Sequence, residues 1–173
     1  MLALALNACG IYSFTGTGKV DESIKTIQIL NFTQQTAGGP SNLAQKFTED
    51  VKEYYQRNTR LKLTQVNPDV ILEGQITGYE MTSVAPSVIG GSSGGGGYGS
   101  SSSSDRGGLN RLTLTVNVKY TNTKDENSSF DQSFSFFQDF AQTQTLSQVE
   151  AGLIPKLYEQ IILDIFNKSA GDW

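Results

Sequence analysis

Residues 111–120 read RLTLTVNVKY, and in them Leu112, Leu114, Val116, Val118 and Tyr120 alternate without a break against Thr113, Thr115, Asn117 and Lys119. Side chains on a strand point to opposite sides in turn, so this run predicts a β-strand with one dry face and one wet face. Everything around it must supply a cover for the dry side. After a polar turn at Thr123–Ser129, the segment FDQSFSFFQDF continues the pattern with Phe130, Phe134, Phe136 and Phe140 on one side, which predicts a hairpin.

Upstream, VILEGQITGYEMT (70–82) predicts a long strand with Leu72, Gly74, Ile76 and Gly78 on one face and Glu73, Gln75, Thr77 and Tyr79 on the other. Glycines on an inner face imply the close approach of a helix, or a bulge. A shorter strand is expected at Arg60–Val66, joined to the long one by the Asn67-Pro68-Asp69 turn. The isoleucine-rich Ser23–Phe32 predicts a central strand with both faces partly covered.

Two stretches carry helical periodicity. Past the Ala37-Gly38-Gly39-Pro40 turn, Ser41 or Asn42 is placed to cap a helix whose Leu43, Phe47, Val51, Tyr54 and Tyr55 share one face. Lys46 with Asp50, and Glu53 with Arg57, then fall on its wet side. Near the C-terminus, Ser147-Gln148-Val149-Glu150 has capping-box spacing, with Leu146 as a staple residue. Val149, Leu153, Leu157, Ile161 and Ile165 follow as one apolar stripe ending near Lys168. Gly152 and Pro155 interrupt it, and the proline predicts a kink or a second helix start.

The order β, α, β, β, β, β, α therefore predicts an α+β fold. It is a two-layer sandwich, a four- to five-stranded mixed sheet with two helices packed on one face and the threonine-rich face left open. A chain of 173 residues, 37% apolar and 17% charged, can bury one ordinary core. Residues 10–173 are accordingly read as a single domain, with a flexible Gly/Ser loop at 87–108. That loop contains GGSSGGGGYGSSSSSDRGG (90–108), which lacks the terminal Gly-Lys-Ser/Thr of a phosphate loop and leads into a strand instead of a helix. Tyr98 and Arg106 are its residues with contact chemistry.

The chemistry available to the chain is narrow. Histidine is absent, which removes the commonest general base, the usual zinc ligand and every Ser-His or Cys-His pair. Glu49 with Asp50, and Asp125 with Glu126, are sequence neighbours on a helix face or in a turn, where solvated charge is the simpler reading. No enzyme, cofactor or metal site is expected. Thirteen Lys and Arg against seventeen Asp and Glu give a net charge of −4, which argues against nucleic acid as a partner.

The single cysteine stands at position 9, in MLALALNAC. Leu2–Leu6 resembles the end of a secretory apolar region, and Leu6-Asn7-Ala8-Cys9 resembles a lipobox, in which the thiol receives diacylglycerol. Residues 1–9 are then a signal-peptide remnant, shorter than a full leader, with no Lys or Arg before the apolar run. The other reading is a chance apolar N-terminus with a free thiol.

In sequence order, LNAC (6–9), GIYSFTG (10–16), LEGQITGY (72–79), NRLTLTVNVKYTNTKD (110–125), FDQSFSFFQDF (130–140) and IILDIFNKSAGDW (161–173) resemble the lipopolysaccharide-assembly lipoprotein family LptE, in its Bacteroidota branch. The resemblance covers nearly the whole chain. It implies a lipoprotein of the outer membrane, on its periplasmic side, anchored through lipid on Cys9. It further implies that the chain plugs an LptD-like outer-membrane β-barrel and assists delivery of lipopolysaccharide to the outer leaflet. Proteobacterial members touch lipopolysaccharide through basic residues in the loop between the third and fourth strands and in the loop before the last helix. Arg106 and Arg111 match the first by position; the second has no counterpart, since no Lys or Arg lies between Lys124 and Lys156. Arg106, Arg111 and Lys119 are the candidate lipopolysaccharide contacts, because phosphate recognition needs positioned cations. Thr113, Thr115, Asn117 and Tyr98 are the candidate barrel-facing residues. The rival class is an envelope lipoprotein of similar build that activates or scaffolds another periplasmic complex.

Overall fold

A computed structural model describes residues 23–84 and 108–170. The expectations for Cys9, Tyr98, Arg106 and residues 1–9 and 87–107 lie outside these residues. The elements are β1 (Thr26–Ile29), β2 (Thr33–Gln34), α1 (Leu43–Asn58), β3 (Lys62–Leu63), β4 (Val70–Val84), β5 (Leu109–Asn122), β6 (Phe130–Ala141) and α2 (Leu146–Ala170). A single 3-10 turn at Glu126–Ser128 joins β5 to β6. The architecture is the expected α+β sandwich. The sheet has six strands, however, in the order β3-β1-β4-β5-β6, with β2 also paired to β4. It is mixed: β1, β2 and β3 make parallel pairs, and β4-β5-β6 form an antiparallel meander.

The extra strand comes from an interruption in the first one. Chain 23–34 runs along one edge of β4, first as β1 and then as β2, and between them Phe32 turns inward. Its N–H leaves the ladder and donates to the Thr48 hydroxyl on α1 at 3.0 Å. The ring meets Phe47 edge-on at 5.0 Å between centroids. Gly74 makes the space, since a Cβ there would lie 2.5 Å from the Phe32 ring and 2.4 Å from the Asn117 carbonyl oxygen. The close approach foreseen at the inner-face glycines is thus made by the β1–β2 connection here and not by a helix.

The second expected feature, a bulge, occurs at Thr77. Ile76 pairs with Val116 and Gly78 with Thr115, so two residues of β4 span one step of β5. The extra residue reverses the alternation beyond it. Tyr79 therefore faces the core, 9% exposed, and not the wet side as simple alternation had it. Arg60–Val66 likewise contributes only Lys62–Leu63 as strand.

Both helices pack on the dry face. Leu43, Phe47, Val51 and Tyr55 of α1 are buried as the heptad-like spacing required, with Asn42 as N-cap. On α2, Leu153, Leu157, Tyr158, Ile161, Ile162, Ile165 and Phe166 are buried in the core, with Tyr158 edge-on to Phe47 and Phe166 edge-on to Tyr54 and Tyr55 of α1. The helix runs unbroken through Pro155, so no second start exists. Its capping residues sit two positions earlier than the sequence motif suggested. The Gln148 side chain accepts from the Thr145 N–H at 2.9 Å, which leaves Glu150 free for Tyr79.

Asp69 ties the start of the sheet together. Its carboxylate accepts from the backbone N–H groups of Lys25 and Thr26 at 2.8 and 2.9 Å, and from Lys124 Nζ at 2.9 Å. These donors stabilise the ionised form and hold the carboxyl well below the usual range.

Candidate functional site

Neither helix covers the outer face of β4, β5 and β6, and the cross-strand register assigns its residues row by row. From one end to the other of β5, Arg111, Thr113, Thr115, Asn117 and Lys119 stand opposite Asp139, Phe137, Ser135, Ser133 and Asp131 of β6. On β4 they meet Thr82, Glu80, Gly78, Gln75 and Glu73. The wet face inferred from RLTLTVNVKY is therefore present, and it gathers Thr113, Thr115 and Asn117 into one polar strip.

The middle of the strip is made of small groups. Thr115 and Ser135 hydroxyls are 3.0 Å apart, and Gly78 presents no side chain beside them. Asn117 donates to Asp131 at 3.1 Å. Small, hydrogen-bonded side chains give a low, flat polar surface that loses little on meeting another polar wall.

The two candidate cations do not converge. Arg111 and Lys119 are separated along β5 by roughly 26 Å at the rise of an extended strand, so they cannot grip one phosphate together. Arg111 is locked in place: Nε and Nη2 donate to the two oxygens of Asp139 at 2.8 and 2.9 Å, and the guanidinium lies 3.6 Å over the Phe137 ring. The pairing lowers the Asp139 carboxyl and raises the guanidinium. Lys119 sits 3.2 Å from Glu73 at the other end. A shallow pocket of about 360 Å³ opens there between Asn31 and Thr33 on one side and Asn117, Lys119 and Asp131 on the other. With Glu73 and Asp131 beside a single lysine, its local charge is negative, which disfavours a phosphate.

Sequence reasoning named the cations but not the acids that neutralise them, because pairing across strands depends on register. Phe137 was missed as well. It is 43% exposed on an otherwise polar face, and its odd position in the Phe-rich segment, out of step with Phe134, Phe136 and Phe140, was the available signal.

Among the described residues no group of three acidic or thiol side chains could hold a metal ion, and no helix is long and apolar enough to cross a membrane.

Comparison with known proteins follows the same lines. The family model described as LptE, lipopolysaccharide-assembly, matches residues 24–169. No match was found among curated proteins. Among solved structures, the hypothetical protein CT253 from Chlamydia trachomatis is similar with a TM-score of 0.55 at 8% identity, over 86% of this chain and 99% of that one. A minor lipoprotein from Acinetobacter baumannii gives 0.52 at 12% identity, over 87% and 95%. Lipoprotein B from Nitrosomonas europaea gives 0.51 at 11% identity, over 98% and 92%. At these identities the structures share the fold.

Proposed function

The chain belongs to the LptE family of lipopolysaccharide-assembly proteins, and on that premise we propose that it is a non-enzymatic outer-membrane lipoprotein that plugs an LptD-like β-barrel. The observation that carries this reading is the outer face of β4-β5-β6, which no described element covers. It is broad, polar and low, its charges Arg111 and Lys119 already answered by Asp139 and Glu73. A barrel lumen is polar, and a plug must present hydrogen-bonding groups to it. Thr113, Thr115 and Asn117 are the residues we assign to that contact, with Tyr98 from the Gly/Ser tract. Cys9 carries the lipid that holds the chain at the periplasmic side of the membrane. The names of the Acinetobacter and Nitrosomonas proteins, both lipoproteins, support the anchor.

Lipopolysaccharide contact is assigned to Arg106, Arg111 and Lys119. Arg111 would meet phosphate while sharing its fork with Asp139, whereas Lys119, beside Glu73 and Asp131, is the weaker of the two contacts. Each acts as a separate point of contact, given their spacing along β5.

The test is a mild-detergent pull-down of the full-length lipidated chain, with mass spectrometry of partners and of the N-terminal peptide. A stoichiometric large barrel and a diacylated Cys9 are expected. Thr115→Trp, which raises a bulky side chain in the middle of the strip, should lose the barrel while melting at the same temperature. Recovery of a different envelope complex and a free Cys9 would overturn the proposal.

A further inference from the structure

At one end the outer face sinks into a recess of about 360 Å³. A mismatch along the edge of the sheet makes it. From Ile29 to Thr33 the edge chain advances four residues, while β4 covers the same span, Leu72 to Gln75, in three. Phe32 takes up the surplus by turning into the core and giving its N–H to Thr48. Asn31 and Thr33 are left along one side of the recess. Glu73, Lys119 and Asp131, paired in one row across β4, β5 and β6, stand along the other.

Its polar groups are tied at one atom and open at another. Asn117 donates through its amide nitrogen to Asp131 at 3.1 Å and to Ser133 at 3.5 Å, and its amide oxygen has no partner among the described residues. The Asn31 amide oxygen accepts from Lys52 Nζ at 3.1 Å, which leaves the amide nitrogen to donate. Gln75 and Thr33, which also line the recess, make no side-chain hydrogen bond among the described residues. Donors and acceptors that the chain itself leaves unsatisfied thus converge on one small volume, the arrangement by which a pocket orients a polar ligand.

The walls select the ligand. Glu73 and Asp131 against Lys119 give the row a net negative charge, which turns phosphate away. The Lys119 ammonium, 3.2 Å from Glu73 and between the two carboxylates, turns a metal ion away as well. Among the described residues no aromatic ring lines the recess for a nucleobase to stack on, and Leu30 is its one large apolar side chain. What matches is a group that donates and accepts over its whole surface and carries no negative charge. We infer that the recess binds a single unphosphorylated sugar residue, its hydroxyls bridging the amides of Asn31, Gln75 and Asn117, with an amino sugar preferred because its ammonium meets Asp131. The recess is shallow, so one sugar binds weakly, and neighbouring residues of a glycan chain add to it. For an envelope protein such a sugar comes from the polysaccharide part of lipopolysaccharide or from peptidoglycan. Sugar binding here requires no barrel, and the chain is tested alone, so the loss of either reading leaves the other standing.

The experiment is an amide-correlation NMR titration of the full chain carrying Cys9→Ser with glucosamine, glucose and glucosamine 6-phosphate, following the side-chain amide signals of Asn31, Gln75 and Asn117. Saturable shifts of these signals are expected at about millimolar sugar, with glucosamine bound about three- to tenfold more tightly than glucose and the phosphorylated sugar weakest. Asp131→Asn should abolish the preference for glucosamine and keep glucose binding, and Gln75→Leu should weaken both. Backbone signals away from the recess report that each variant is folded. Polysaccharide freed of lipid and phosphate from lipopolysaccharide, and glycan fragments from peptidoglycan, are the second pair of probes, and the tighter of the two names the source. No saturable shift with glucosamine or glucose, tightest binding by the phosphorylated sugar, shifts confined to other residues, or failure of both glycan probes to bind would each overturn the proposal.

Discussion

The Tyr79 phenol, on the bulged strand β4, donates to a carboxylate oxygen of Glu150 near the start of α2, 71 residues further along the chain. The bulge at Thr77 is what turns Tyr79 toward the helices. Gly38 and Gly39 close over its ring, and Gly39, at φ 86°, adopts a conformation that favours glycine. Tyr79→Phe is expected to lower stability by about 1 kcal/mol, the net worth of one partly buried hydrogen bond. Glu150→Gln keeps an acceptor and should cost less. A double-mutant cycle by urea unfolding should return a coupling of about 0.5 kcal/mol or more, and additive single effects would show that the contact does not matter.

Thr48 serves two masters inside the core. Its hydroxyl accepts from the Phe32 N–H and donates to the Ala44 carbonyl at 2.7 Å, while only 3% exposed. Thr48→Val has nearly the same shape and strands the Phe32 N–H without a partner. We expect a loss of about 1–3 kcal/mol, and substantially less from Thr48→Ser, measured as the shift in urea midpoint at constant slope.

Two glycines should respond to alanine in opposite directions. At Gly74 a methyl group would collide with the Asn117 carbonyl and the Phe32 ring, so Gly74→Ala should destabilise by about 2–3 kcal/mol through overpacking. At Gly152, within α2, a Cβ would meet nothing within 4 Å. Gly152→Ala should stabilise by about 0.5–1 kcal/mol, because alanine loses less backbone entropy in a helix. Thermal denaturation of the two variants side by side is sufficient.

Stability should form a plateau across neutral pH, because the chain contains no histidine. On the acid side, Asp69, Asp125 and Asp139 have carboxyls lowered by hydrogen bonds or by Arg111, so they stabilise the fold above their unfolded pKa. That contribution falls away as pH drops below about 5. Asp50, raised by partial desolvation and by Glu53 and Glu49, works in the opposite sense and blunts the limb. On the alkaline side, burial raises the phenols of Tyr55, Tyr79, Tyr120 and Tyr158, with Tyr120 pushed up to about 12. A raised phenol stabilises the fold below its unfolded value and ceases to do so as pH climbs above about 10. Asp69→Asn should flatten the acid limb and leave the alkaline limb unchanged in a series of urea melts.

Local alternation was enough to place the long strands and both helices, because a period of two or of 3.6 is written residue by residue. The dry face of β5, the Phe134 and Phe140 side of β6 and the α2 stripe are all where their spacing put them. The wet face, with Thr113, Thr115, Asn117, Arg111 and Lys119 on one side, was legible for the same reason. What no local pattern carries is the pairing between distant segments. The break between β1 and β2 exists because Thr48 and Gly74 receive Phe32. The reversal at Thr77 exists because one residue too many meets the register of β5. The neutralisation of Arg111 and Lys119 depends on which acids the neighbouring strands bring opposite them. Sequence alone thus determined which residues share a face wherever the periodicity runs unbroken, as in β5, β6 and the two helices, but not in β4 beyond Thr77. Only the tertiary structure decided which faces meet and which charges cancel, since register is set by packing between segments far apart in the chain.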